Sequence, residues 1–338
     1  MTIVRVGIDI AKSVFQVHGV DAAGKVKARK KLRRNKVLEF FSNLEPCLIG
    51  IEACGGAHYW ARELIKLGHE VKLMAPQFVK PYIKGNKTDA NDAEGICEAV
   101  GRPSMRFVSV KSIEQQDILM LHRIRQRGVK NRTALSNQIR GLLAEYGIVV
   151  KLGINTLRQE LPYILENVDN CLSPFSRKNF HHLYEKLITL DDEIKEYDKE
   201  IKLIAKNSVD CQRLLTIPGV GMITATALVA MIGNVSCFKN GRELSAYFGL
   251  VPRQHSSGGK THMQGISKRG DTYIRTLLIH GARSVVRVAG KKTDAQSQWI
   301  NQLEERRGHN KAAVAQANKA ARQVWAVLSK GEDYKIAA

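Results

Sequence analysis

Acidic residues are scarce in this chain: 32 Asp and Glu stand against 53 Lys and Arg, a formal net charge of +21 over 338 residues. An excess of that size disfavours cationic partners and points to a polyanion, most simply nucleic acid. The alternative is a basic surface that is only well solvated. Cysteine is sparse as well. The six cysteines, at 47, 54, 97, 171, 211 and 237, form no CxxC pair and no zinc spacing. That excludes a zinc module of the usual kind and predicts free thiols in a reducing cytoplasm. No apolar run approaches the length of a membrane span, and residues 2–6 (TIVRV) read as a strand where a signal peptide would stand. The expectation is an intracellular protein that does not enter a membrane. Aromatics make up only 6% of residues, yet apolar residues reach 44%, enough for genuine cores and against wholesale disorder. The length suits two or three domains.

The N-terminal third alternates short apolar runs with turns. Residues 3–10, 14–20 and 25–32 read as a three-stranded meander with an Asp-Ala-Ala-Gly turn at 21–24. Eight Lys/Arg and no acid fall between positions 25 and 36, so that edge faces a polyanion or bulk water. Residues 47–51 form a continuous apolar strand, expected to be buried on both faces. A helix over 57–67 closes at Gly68, and a strand over 70–74 stops at Pro76. A basic loop, 80–87, leads into a helix that begins KTDANDAEG.

Asp89 and Asp92 lie three apart on that helix and share a face. Asp9 interrupts an apolar strand, VGIDIA, although Asp is depleted in strands; a carboxylate there wants a counter-charge or a metal. Glu52 ends the strand CLIGIE ahead of a Gly-Gly turn. Four hard oxygen donors suit Mg²⁺ or Mn²⁺, and the reading is a metal-dependent phosphodiester site. The plainer alternative is that Thr88 or Asp89 caps the helix while Asp92 favours its dipole. The order βββαβαβα predicts a mixed sheet with helices on its faces. With acids at these positions it resembles ribonuclease H-like nucleases of the RuvC-like subgroup.

Past Arg102 the pattern turns long, helical and basic. Over 112–146, leucines and isoleucines interleave with Arg123, Arg125, Arg127, Lys130 and Arg132. One stripe can pack while another tracks phosphates; a coiled-coil arm with a solvated basic face is the alternative. A second seam runs over 179–207, and the two are expected to form an antiparallel hairpin that dimerises. Within 211–233, IPGVG followed by TATAL resembles a helix-hairpin-helix element. Gly219 and Gly221 would permit close approach of the backbone to a phosphate; an ordinary helical turn is the alternative.

The last third holds FGLVPRQHSSGGK and, further on, SKRGD. Positions 253–260 read as a mobile Gly/Ser loop with basic neighbours, Arg253, Lys260, Lys268 and Arg269. From 252 to 322 there are 14 Lys/Arg and four Asp/Glu. Such a loop either binds phosphate or offers a hydroxyl nucleophile, and spacing alone favours binding.

Together GIDIAK, GIEACGG, KTDANDAEG, IPGVG, FGLVPRQHSSGGK and SKRGD resemble one family across nearly the whole chain. It is the DEDD-type transposases of bacterial insertion sequences, related to the pilin-gene inversion recombinase. The resemblance implies three domains and a tail. Residues 1–105 would be a RuvC-like mixed sheet, 106–209 a basic helical or coiled-coil arm, 210–330 a mostly helical domain with the helix-hairpin-helix and serine segment, and 331–338 the tail. It implies that Asp9, Glu52, Asp89 and Asp92 hold Mg²⁺ and that a serine attacks DNA and becomes joined to it. By motif that serine is Ser257; the family's Gln-Ser-Gly reads Ser-Ser-Gly here, so Ser256 stays open, and His255 is left unassigned. The partners implied are donor and target duplex DNA and a structured guide RNA, in a homodimer assembling to a tetramer, in the bacterial cytoplasm with the nucleoid. A hydrolytic junction nuclease and a non-catalytic nucleic-acid scaffold are the rival readings.

Overall fold

The computed structural model describes residues 2–86 and 88–335. The chain divides into two compact units: Met1–Ser112 with Ile232–Cys237, and Ile113–Met231 with Phe238–Ala338.

In the first unit, β1 (Arg5–Ile10), β2 (Val14–Val20) and β3 (Val26–Arg33) form the expected antiparallel meander. Its second turn is built by Asp21, whose Oδ1 accepts from the Ala23 and Lys25 amides at 3.0 and 2.9 Å, with Gly24 in the left-handed region. There follow α1 (Val37–Ser42), β4 (Leu48–Glu52), α2 (Ala57–Lys66), β5 (Glu70–Met74), the short α3 (Pro76–Val79), α4 (Asp89–Val100) and β6 (Phe107–Val108). Strands β1, β4 and β5 run parallel, β6 pairs antiparallel with β5, and the order is β3-β2-β1-β4-β5-β6. At two residues, β6 is too short to leave a periodic signal, and it was not expected.

The two faces of this sheet are built differently. Val6, Ile8, Phe15, Val17, Ile49, Ile51 and Leu73 pack against Phe41, Trp60 and Leu64 of α1 and α2. Each fully buried Ile or Leu there contributes about 2 kcal/mol. On the opposite face, β1 and β4 each carry one glycine, Gly7 and Gly50, that lets α4 lie against the strands. A Cβ on Gly7 would stand 2.2 Å from the Ala93 carbonyl oxygen, and one on Gly50 would stand 2.7 Å from the Val100 Cβ.

In the second unit, α5 (Ile113–Ala144), α6 (Ile154–Glu166) and α7 (Pro174–Asn207) pack around Ile139, Leu143, Leu157, Leu161, Phe180 and Leu187. α6 escaped the sequence reading because Pro162 sits inside it and reads as a breaker. α7 starts earlier than position 179 because Ser173 caps it, accepting from the Ser176 amide at 3.1 Å, with Pro174 at its first position. The chain continues through α8 (Val209–Leu215), α9 (Met222–Ile232), α10 (Gly241–Tyr247), β7 (Pro252–Ser257), β8 (Lys260–Ile266), α11 (Thr272–Ala289), α12 (Ala295–Arg307) and α13 (His309–Lys330).

One expectation is corrected here. The serine segment is an antiparallel β-hairpin and not an irregular loop: Ser256 pairs with Thr261 and Ser257 with Lys260. The intervening Gly258 and Gly259 have φ of +54° and +76°, the positive pair that a tight two-residue hairpin turn requires. Apart from Met263 and Ile266 in β8, both strands are mostly polar on both faces, so no alternation announced them.

Candidate active site

Strand register decides where the first two acids point. β1 and β4 are parallel neighbours with Ile8 opposite Ile51, so the next pair along is Asp9 and Glu52. Residues two apart share a face, and Asp9 therefore lies on the face of Gly7, Glu52 on that of Gly50. This is the face covered by α4. Along α4 the sequence from Val100 through Cys97 to Ala93 passes over Gly50 and Gly7, and Asp92 and Asp89 form its first turn beyond. Asp9, Glu52 and Asp92 are half-buried, and Asp89 is exposed.

Thr88 is the cap of α4, with its Oγ1 accepting from the Asn91 amide at 3.3 Å, which frees both aspartates from that task. Lys87, the first residue of the motif, lies outside the described residues. Further along α4, Glu94 pairs with Arg29 at 3.1 Å and Glu98 with Arg5 at 3.7 Å. Asp92 differs: its Oδ1 is buried and has no hydrogen-bond partner among the described residues. A buried carboxylate oxygen left this way is costly unless something cationic meets it. The Cys54 thiol senses the same locality. Partial desolvation first, then the fields of Glu52 and Asp9, raise its pKa, which keeps it a neutral thiol and a poor ligand. Among the described residues no three His, Cys, Asp or Glu side chains are gathered closely enough to hold a metal ion. The donors on this face are all oxygens, the type a hard divalent cation takes, with Asp9 and Glu52 on the sheet and Asp89 and Asp92 on α4.

The hairpin β7–β8 is exposed along its length except Ile266, and its root is held by a clasp of two glycine turns. A Cβ on Gly249 would stand 2.0 Å from the Arg269 carbonyl oxygen, and one on Gly270 would stand 2.0 Å from that of Tyr247. Backbone amides of Ser267 and Lys268 donate to Val251 and Gly249 carbonyls at 2.8 and 3.1 Å. The buried Arg275 guanidinium donates to the Phe248 and Arg269 carbonyls at 3.3 and 3.4 Å. Lys268 itself holds a φ of +54°, a strained conformation for a residue with a side chain. The FG and RG pairs of FGLVP and SKRGD were the available signal for this clasp, and the sequence reading did not use it.

At the tip, alternation separates the serines. Ser256 Oγ accepts from Gln254 Nε2 at 2.7 Å and lies 3.2 Å from Thr261 Oγ1. Ser257 belongs to the other face, in register with Lys260, and the next pair along that face is His255 with His262. Arg253, Lys260, Lys268 and Arg269 are exposed.

The arginines of α5 are placed less freely. Arg123 Nη2 bonds Asp271 at 2.6 Å, Arg125 Nε bonds Asp198 at 2.5 Å, and Arg132 Nη1 bonds Asp191 at 2.8 Å. Asp191, only 5% exposed, also receives Arg158 at 2.8 Å. Arg127 and Lys130 are exposed. In the IPGVG turn, a Cβ on Gly219 would lie 2.8 Å from the Gly281 carbonyl oxygen, so its missing side chain admits α11; Gly221 has open space beside it.

Comparison with known proteins agrees with these motifs. A transposase model of the DEDD, IS110 type matches residues 6–148, and a model described as the IS116/IS110/IS902 transposase family matches residues 211–298. A probable family 20 transposase of Pseudomonas aeruginosa is 50% identical over 336 residues, covering 99% of both chains. The transposase for insertion sequence element IS1111A of Coxiella burnetii is 48% identical over 332 residues, 98% of this chain and 91% of that protein. The pilin gene-inverting protein of Moraxella lacunata is a more distant relative, 25% identical over 264 residues, 76% of this chain and 71% of its own. The chain thus belongs among transposases, enzymes that cut and rejoin DNA. The chain is a member of the IS110/IS116 family of DEDD transposases. No described helix is long and apolar enough to cross a membrane.

Proposed function

We propose that this transposase joins DNA strands by serine transesterification at a RuvC-like acidic centre, directed by a structured guide RNA. The observation that carries the acidic centre is the placement of Asp9 and Glu52 side by side beneath α4, with the unpartnered Asp92 oxygen at that helix's start. The antiparallel meander followed by parallel strands supports the ribonuclease H-like reading. Asp9, Glu52, Asp89 and Asp92 would hold Mg²⁺ or Mn²⁺, which when bound supplies charge neutralisation at the phosphodiester.

The Ser257 hydroxyl is the nucleophile. Its Oγ–P bond forms as the bond from phosphorus to the leaving strand's oxygen breaks. The hydroxyl proton passes to a base, for which the Ser257 face offers His255 and His262, and the leaving oxygen takes a proton from water and departs as a strand-end hydroxyl. Attack by a hydroxyl on the serine ester restores a phosphodiester and frees Ser257, so joining needs no ATP. A second reading makes Ser256 the nucleophile. It is favoured by the Gln254 hydrogen bond, which orients Ser256 Oγ and stabilises charge on it.

Acids and serine lie in different units, so the reaction requires them to be brought to one phosphate, within a chain or between copies. A homodimer or tetramer, with α5 and α7 as a coiled-coil contact, would serve. In the same reading the α8–Gly219–Gly221–α9 segment acts as a helix-hairpin-helix on DNA, and Arg127 and Lys130 contact folded RNA with Arg123, Arg125 and Arg132 behind them. The test is a suicide DNA substrate from which the released strand diffuses away. Ser257→Ala should abolish the denaturant-stable protein–DNA adduct while Ser256→Ala retains it, and Asp9→Ala should abolish both adduct and strand transfer. Strand cleavage with no adduct in any variant would return the chain to hydrolysis.

A further inference from the structure

A groove of about 1650 Å³ in the second unit is walled by α10, the root of the β7–β8 hairpin and the helices α12 and α13. Its cations come from every wall: Arg242 from α10, Arg253 and Lys268 from the hairpin and its clasp, and Arg307, Lys311, Lys319 and Arg322 from the last two helices. Among the described residues no Asp or Glu lines it. The arginine ion pairs that cross between helices of this unit fall elsewhere, on Arg123, Arg125, Arg132 and Arg158. Between the cations lie apolar side chains, among them Leu250, Met263, Ile266 and Val314, and two tryptophans, Trp299 and Trp325. Trp325 is fixed by donating its Nε1–H to the Phe238 carbonyl at 2.9 Å. Lys319 Nζ stands 4.7 Å over the Trp299 ring.

We propose that this groove binds an unpaired strand of nucleic acid, with its phosphates on the cations and its bases on Trp299 and the apolar wall. Uncompensated cations on three walls call for a polyanion. The tryptophans and aliphatic side chains decide its form. A duplex turns phosphates and base edges outward and keeps its base faces stacked inside, so it has nothing to lay on an indole or an isoleucine. An unpaired strand exposes those faces, and stacking on aromatic rings between cations is how such strands are held. The hairpin makes the location matter. Arg253 sits in the groove and Ser257 lies four residues further along β7, about 13 Å at the rise of a strand. A strand held in the groove is thereby led toward the serine tip.

The inference rests on the chain's being a transposase but not on which residue attacks, and it is tested without chemistry. Full-length protein in chelator is titrated by fluorescence anisotropy with labelled oligo(dT) and oligo(U) of roughly 20 nucleotides, longer than the 4–16 that such grooves cover, and with a duplex of equal length. The charge reversal R307E/K311E should weaken single-strand binding at least about tenfold and lower its salt slope by about 1.4, two phosphates at 0.7 each. Duplex affinity should change far less. Trp299→Leu should cost about tenfold on single strands while Trp299→Phe restores most of it, with both variants melting like the parent. Preference for oligo(U) would identify the strand as RNA and preference for oligo(dT) as DNA, and either supports the groove. The proposal is overturned if R307E/K311E binds single strands with unchanged affinity and slope, if duplex and single strand weaken equally, or if polyglutamate competes as well as an oligonucleotide.

Discussion

Two sets of cations in the second unit look alike in sequence and differ in what meets them. On α5, Arg123, Arg125 and Arg132 each find an aspartate 59 to 148 residues away. Those pairs tie α5 to α7 and to the start of α11. In the groove beside α13, seven Lys and Arg side chains line one cavity with no carboxylate among them. The first set holds the protein together and the second is left for a ligand. Positive charge by itself does not mark a binding surface; the location of the acids does.

The largest test of that contrast is on the paired side. Asp191→Ala leaves Arg132 and Arg158 without the nearly buried carboxylate they share. It should cost about 3–5 kcal/mol, the usual penalty for breaking such a pair, read as a lowered denaturation midpoint. A loss below 1 kcal/mol would show these arginines to be as free as those of the groove.

Acid should act on the same region. His122, on α5 immediately ahead of the paired arginines, is buried against Tyr273 and Thr226 at 2.9 and 3.0 Å. Burial first, then Arg125 and Arg123, lower its pKa to about 4. The unfolded chain takes up this proton near pH 6.5 and the folded chain only near pH 4. The stabilisation is therefore complete above pH 6.5 and is lost as pH falls toward 4, about 3 kcal/mol in all. His122→Asn should flatten the dependence of stability on pH over that window; an unchanged slope would sink the assignment.

The smallest effect belongs to the exposed positions of α5. Arg127→Ala and Lys130→Ala should change stability by no more than about 0.5 kcal/mol. If they carry RNA contacts, each should lower the salt slope of RNA binding by about 0.7. A stability loss comparable to that of Asp191→Ala would erase the distinction between the two sets.

Much of the first unit was legible because its signals are local. The meander declares itself through alternation and the Asp21–Gly24 turn, and Asp9 stands out as an acid in an apolar strand. The helix bearing Asp89 and Asp92 was also legible, while its cap stayed open between Thr88 and Asp89 until the structure placed it at Thr88. What was hidden depends on distant contact. Gly7 and Gly50 read as strand glycines, and only the packing of α4 reveals why no side chain fits. Asp191 looks like one acid among many in a mixed-charge helix until two arginines converge on it. The hairpin was read as a loop because polar residues occupy both of its faces, although the Gly-Gly turn was in plain view. The groove draws on positions from 240 to 326, so no window of sequence contains it.

The clasp at the root of that hairpin has a consequence for how the protein tolerates change. Rigidity enters through Gly249, Gly270 and the buried Arg275, while residues 252–265 bury nothing. Folding is thus little affected by the exposed side chains of the tip, apart from the turn glycines Gly258 and Gly259, and these side chains can be exchanged at little cost to thermal stability. Outside Gly258 and Gly259, whose positive φ the turn itself demands, whatever restricts variation between Gln254 and Lys260 is imposed by the reaction, and a library randomised at those other positions would sort variants by chemistry.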